Sequence, residues 1–94
     1  MTTPTNRKNI YRSARSATGI NKRQWARLFS LGETKGAAEV YKKELEDGEP
    51  GSRGVSMADA LSATLIEYLF SQGYDVENMV FDEYGNIVDI PKTT

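Results

Sequence analysis

Residues 21–47, NKRQWARLFSLGETKGAAEVYKKELED, constrain this chain more than any other stretch. They read as two short amphipathic helices joined by a tight turn at Leu31-Gly32-Glu33-Thr34. The first helix carries Trp25, Leu28 and Phe29 on one side, with Ala26 at the helix contact. In the second, Ala38, Tyr41 and Leu45 recur at helical spacing with Ala37 beside them, which directs one stripe of each helix into a shared core. Opposite that stripe stand Lys35, Gly36, Glu39, Lys42 and Lys43. A short helix held by its back, with a small, polar, basic front, has the shape that enters a DNA major groove.

Capping residues set the expected boundaries. Asn21 is an N-cap that Gln24 can answer, and Gly32 ends that helix near Leu31. Thr34 is the next N-cap, and the following helix runs from Lys35 to about residue 47, closed by Gly48. Upstream, a polar lead (MTTPT) precedes a helix over residues 6–18, whose thin apolar stripe is Ile10, Ala14 and Ala17. Gly19 fits the left-handed position beyond its end.

Downstream, residues 48–54 carry Pro50 and three glycines and read as a mobile loop. Ser56 then caps a helix reaching about Gln72, with Asp59 at its third position and Gly73 as its stop. Its expected core face is Met57, Ala60, Leu61, Thr64, Leu65, Tyr68 and Leu69, widened by Ile66 and Phe70. Two β-prone runs, Met79-Val80-Phe81 and Ile87-Val88-Asp89-Ile90, flank the turn residues Asp82-Glu83-Tyr84-Gly85-Asn86. That is a hairpin over residues 78–90, and a lone two-stranded hairpin must pack on something to persist. Pro91 ends it, with a loose tail after. The expected fold is mainly α: one domain over residues 1–94, a compact four-helix helix-turn-helix bundle over 6–72, and the C-terminal β-hairpin.

The net charge of −1 conceals an asymmetry. Residues 1–43 hold ten Lys or Arg against two Glu, a balance of +8, whereas residues 44–94 hold two against eleven acidic residues, a balance of −9. A basic half is the composition expected of a chain whose one end meets a polyanion. The sequence has no cysteine and no histidine, which removes disulfides, thiolate chemistry and the usual general base. No apolar run reaches membrane-span length, so the expectation is a cytoplasmic protein without a cofactor or metal, and not an enzyme.

Gly19-Ile20-Asn21-Lys22-Arg23-Gln24-Trp25-Ala26 resembles the opening of Cro/repressor-type (lambda-repressor-like) helix-turn-helix domains. Thr34-Lys35-Gly36-Ala37-Ala38-Glu39-Val40-Tyr41 is similar to their recognition helix, with its capping hydroxyl and aromatic anchor. The resemblance covers roughly residues 10–69, at superfamily level. The stretch between Ala26 and Thr34 is longer than the family's usual turn, and Lys42 stands where an acidic residue commonly follows the anchor. What the resemblance implies is sequence-specific binding of double-stranded DNA by a small transcriptional regulator, a repressor most simply.

On that reading Lys35, Gly36, Glu39, Lys42 and Lys43 face bases. Arg7, Lys8, Arg12, Arg15, Lys22, Arg23, Thr34 and Arg53 face phosphates. Glu39 can accept from a cytosine amino group or pair with Lys35 or Lys43, and the α-helical arginines can equally be a solvated face. A homodimer is expected, through the hairpin edges or the helix over residues 56–72. The rival is a protein-binding module whose acidic C-terminal half docks a basic partner, with the helix-turn-helix as scaffold only.

Overall fold

The computed structural model describes residues 6–29 and 33–93. Its helices are α1 (Arg7–Thr18), α2 (Lys22–Leu28), α3 (Glu33–Glu44) and α4 (Met57–Ser71). A short 3₁₀ turn (Val76–Asn78) leads into an antiparallel hairpin of β1 (Val80–Phe81) and β2 (Ile87–Asp89). The mainly helical fold with a C-terminal hairpin is the one the sequence predicts. In packing, α1 lies against α4 and α2 against α3, and α1 also touches α3.

The caps behave as their residue types require. Asn6 accepts from the Asn9 amide at 2.8 Å, Asn21 from the Gln24 amide at 2.9 Å and Ser56 from the Asp59 amide at 3.0 Å. Asp59 returns the favour to the Ser56 amide, closing a capping box on α4. Each such cap stabilises its helix by about 1 kcal/mol. Gly19 ends α1 at φ 71°, where its amide reaches the Arg15 carbonyl and a side chain would be strained.

Boundaries and faces depart from expectation in four places. First, α2 stops at Leu28, with Phe29 as its C-cap, and α3 already starts at Glu33. Thr34 therefore sits inside α3 rather than capping it, while the expected turn residues Leu31 and Gly32 lie outside the described residues. α3 also ends at Glu44, and the following residues fold back on its last turn, where the Arg53 amide reaches the Lys42 carbonyl. Second, α1 adds Tyr11 to its buried side; of the expected stripe Ala14 is buried and Ile10 packs half-buried against the core, while Ala17 is exposed.

Third, α3 buries Gly36 and Val40 and leaves Ala38 and Tyr41 exposed. Fourth, α4 buries Ala60, Ala63 and Ile66, while Met57, Leu61, Leu65 and Tyr68 face outward. The reason is volume. Tyr11, Trp25 and Phe29 form an aromatic cluster with ring centroids 5.2 to 5.8 Å apart, Tyr11 edge-to-face with both others and Trp25 tilted on Phe29. Such bulk leaves room for small residues opposite, and Ala60 and Ala63 supply it.

The loop over residues 48–54 is tied rather than loose. The Arg53 amide donates to the Lys42 carbonyl at 3.0 Å, and Ser52 Oγ to the Leu45 carbonyl at 3.3 Å. The hairpin is anchored too: Arg27 donates to the Glu77 and Met79 carbonyls at 2.9 and 2.8 Å and lies over the Phe81 ring. The tail is held at Thr93, whose amide and hydroxyl both donate to the Gly73 carbonyl. These bonds supply the external packing that so short a ladder needs.

Candidate nucleic-acid interface

Helix α3 is fixed by its back and by its C-terminal end. Along the back, Val40 is fully buried in one cluster with Trp25 and Ala26, and Gly36, one turn earlier, is buried as well. At the end, the last carbonyls of the helix have no intrahelical donors, and cations of α1 provide them. Lys8 is only 8% exposed. Its three ammonium protons are met by the Lys43 carbonyl at 2.7 Å, the Arg53 carbonyl at 2.8 Å and Ser52 Oγ at 3.4 Å. Arg12 donates to the Glu44 carbonyl at 3.2 Å and to Glu46 Oε1 at 2.7 Å. Arg15 grips the Glu44 carboxylate with two nitrogens, one of them at 2.8 Å, and donates to the Ile20 carbonyl. That paired geometry raises the Arg15 pKa above its ordinary value. Positive charge at a helix C-terminus is also favoured by the macrodipole.

The charge asymmetry of the sequence is thus partly spent inside the fold. Lys8, Arg12 and Arg15, expected at phosphates, are turned onto the end of α3. Arg7 remains exposed on α1. Lys43, expected at bases, is turned inward and bonds Asp59 Oδ2 at 2.9 Å. Burial opposes ionisation of Asp59, but this contact and the Ser56 cap outweigh it and hold its carboxyl below the usual 3.8. Gly36 is buried. Glu39 stands at the flank of the helix, 3.8 Å from the Arg53 guanidinium.

Two of the residues expected at bases, Lys35 and Lys42, lie on the outward side of α3. Lys35 is exposed and Lys42 half-exposed, and neither ammonium group has a partner among the described residues. Between them lie Ala38 and Tyr41, which the sequence reading assigned to the core. Tyr41 is 54% exposed, and the Lys22 ammonium at the start of α2 sits 6.0 Å from its ring centroid. Arg23 follows Lys22 on the exposed side of α2. Thr34 lies in the first turn of α3, its side chain outside the described residues. The outward surface therefore combines a methyl group, a phenol and three ammonium groups: Ala38, Tyr41, Lys22, Lys35 and Lys42. Gly36 and Val40, four residues apart, were the sequence signal for this rotation, since a glycine on a helix face permits close approach of a neighbour.

Within the core, the Tyr11 hydroxyl and Trp25 Nε1 make no hydrogen bond. Burial pushes the Tyr11 pKa up to about 12; the Trp25 indole eases this without reaching bonding geometry, while Asp59 and Glu44 add to the rise. Among the described residues, no helix is long and apolar enough to cross a membrane. No protein-family model, curated protein or solved structure matches the chain.

Proposed function

We propose that this chain binds double-stranded DNA through the outward face of α3, as a small transcriptional regulator and most simply a repressor. The observation that supports this reading is the composition of that face: uncharged Ala38 and Tyr41 in the middle, with Lys22, Lys35 and Lys42 around them. α3 packs on α2 and buries Val40, while Lys35, Ala38 and Tyr41 are exposed. In a major groove, the Ala38 methyl suits a thymine methyl, and the Tyr41 hydroxyl reaches a base edge or a phosphate. Lys35 and Lys42 flank them, while Lys22 and Arg23 approach the phosphate strand from α2. Compared with the reading from sequence alone, Gly36 and Lys43 leave the base-facing set and Ala38 and Tyr41 join it.

The rival reading, an acidic C-terminal half that docks a basic partner, has fewer available carboxylates. Glu44, Glu46 and Asp59 are already engaged by Arg15, Arg12 and Lys43.

The test is selection of bound duplexes from random DNA, followed by affinity measurements across a salt series. Each phosphate contact should steepen the log–log salt slope by about 0.9. Lys35→Ala and Lys22→Ala should each flatten that slope, and Tyr41→Ala should lower the preference for the selected sequence by about tenfold, the effect of roughly 1.4 kcal/mol. Binding that ignores salt, or that survives all three substitutions unchanged, rules the proposal out.

A further inference from the structure

Helix α4 poses a problem that the proposed DNA contact leaves untouched. Its core side is made of Ala60, Ala63 and Ile66. The opposite side is Met57, Leu61, Leu65 and Tyr68, at spacings of four, four and three residues, each more than half exposed. The two charged residues of the helix stand apart from this stripe: Asp59 is tied to Lys43 and to the N-cap, and Glu67 is half-buried. A helix that is apolar all round is one that something covers on both sides. The stripe is about 16 Å long at 1.5 Å per residue. Exposed Ile87 of the hairpin, which shares a recess with Leu65, adds to the uncovered apolar surface, and large contiguous apolar patches mark interaction sites.

We infer that the cover is a second copy of this chain, with α4 packed antiparallel on its partner's α4. The surface is complementary to itself. Beside Leu65 lies a recess of about 450 Å³, lined chiefly by Leu28, Leu65, Leu69, Met79, Phe81 and Ile87. Leu61, one turn away, projects from the same face without lining that recess. A two-fold axis between Leu61 and Leu65 sets each Leu61 opposite the other copy's Leu65, at the mouth of the recess. It also brings each Met57 against the other copy's Tyr68. Knob and hole are thus both supplied by one sequence, the condition for an isologous contact.

Charge selects the same occupant. A basic or acidic partner finds no counter-charge on the stripe, whereas a copy brings an equally neutral face and leaves no charge buried. Residues 56–72 therefore form the dimer surface in preference to the hairpin edge, where the strands are only two and three residues long and Asp89 stands in β2. The arrangement does not depend on DNA binding.

The experiment is sedimentation equilibrium of the full chain without DNA. The wild type should reach twice the 10.5 kDa chain mass. Leu61→Glu/Leu65→Glu should weaken association by on the order of a hundredfold, because like carboxylates then face each other at the seam. Leu61→Lys/Leu65→Glu should restore the dimer, because opposite charges meet across the two-fold axis. Leu61→Ser alone should weaken the dimer without adding charge. Helical circular dichroism should be unchanged throughout, since the altered side chains face solvent in the single copy. A monomeric wild type overturns the inference and gives the stripe to another occupant. A double-glutamate variant that stays dimeric overturns the surface, and a Lys/Glu variant that stays monomeric overturns the antiparallel register.

Discussion

α3 and α4 each turn outward the side chains that a sequence reader would bury. On α3 the aromatic ring of Tyr41 is outside and Gly36 inside; on α4 Leu61 and Leu65 are outside and Ala60 and Ala63 inside. The two outward faces differ in what surrounds the large side chains. Around Tyr41 stand Lys22, Lys35 and Lys42, so that face is already suited to water and to a polyanion. On α4 the two charged residues, Asp59 and Glu67, stand off the stripe of Leu61 and Leu65, so that face gains from apolar cover. Large side chains on the outside of a small domain are therefore not one phenomenon. Their neighbours decide whether they suit a charged partner or an apolar one.

The comparison can be broken most severely at the anchor of α3. Lys8→Met leaves two carbonyls and a hydroxyl without their donor and should cost about 3 kcal/mol in urea unfolding, which would show that charge and not apolar contact holds this end. An unchanged stability would transfer that role to the α2–α3 packing alone. Next, Val40→Ala should cost about 2 kcal/mol, whereas Tyr41→Ala, its neighbour, should stay within about 0.5 kcal/mol. Equal costs would return Tyr41 to the core and undo the assigned face.

pH gives a third measurement. Tyr11 titrates near 10 when unfolded and near 12 in the fold, so its contribution is complete below pH 10. It is lost as pH rises through 12, by about 2 kcal/mol. Tyr11→Phe should remove this alkaline loss. Asp59 works in the opposite sense: its folded pKa is depressed, so its contribution is present above pH 3.8 and lost as pH falls below that value. Asp59→Asn should blunt the acid limb of a stability profile. The smallest change is expected for Leu65→Ser at concentrations too low for association, within about 0.5 kcal/mol of the wild type.

Sequence carried the elements well and their rotation poorly. Asn21, Ser56 and Gly19 specify local hydrogen bonds and backbone angles that no distant contact has to ratify, so the helix order and several ends were legible. Rotation about a helix axis depends on what the neighbouring helix brings. On α3 the largest side chain, Tyr41, marks the apparent stripe, but one residue is a turn of about 100°, and the buried stripe is Gly36 and Val40. For α4 the pattern had no direction at all, since apolar residues lie on every side; only the bulk of Tyr11 on α1 makes the small residues the inner ones. The basic half misled for a related reason. Net charge by segment cannot tell a cation that faces solvent from one that closes the end of a helix, as Lys8 does.

The chain has one tryptophan, and Trp25 is fully buried beside Tyr11 and Phe29 with its indole nitrogen unbonded. The molecule thus carries its own optical gauge. Emission from an indole in so dry a setting is blue and shifts red only when water enters the core. Because the ring is fully covered within one copy, separating two copies along α4 should leave the colour unchanged, whereas unfolding moves it. Light from a single side chain, read beside mass, therefore tells coming apart from coming undone.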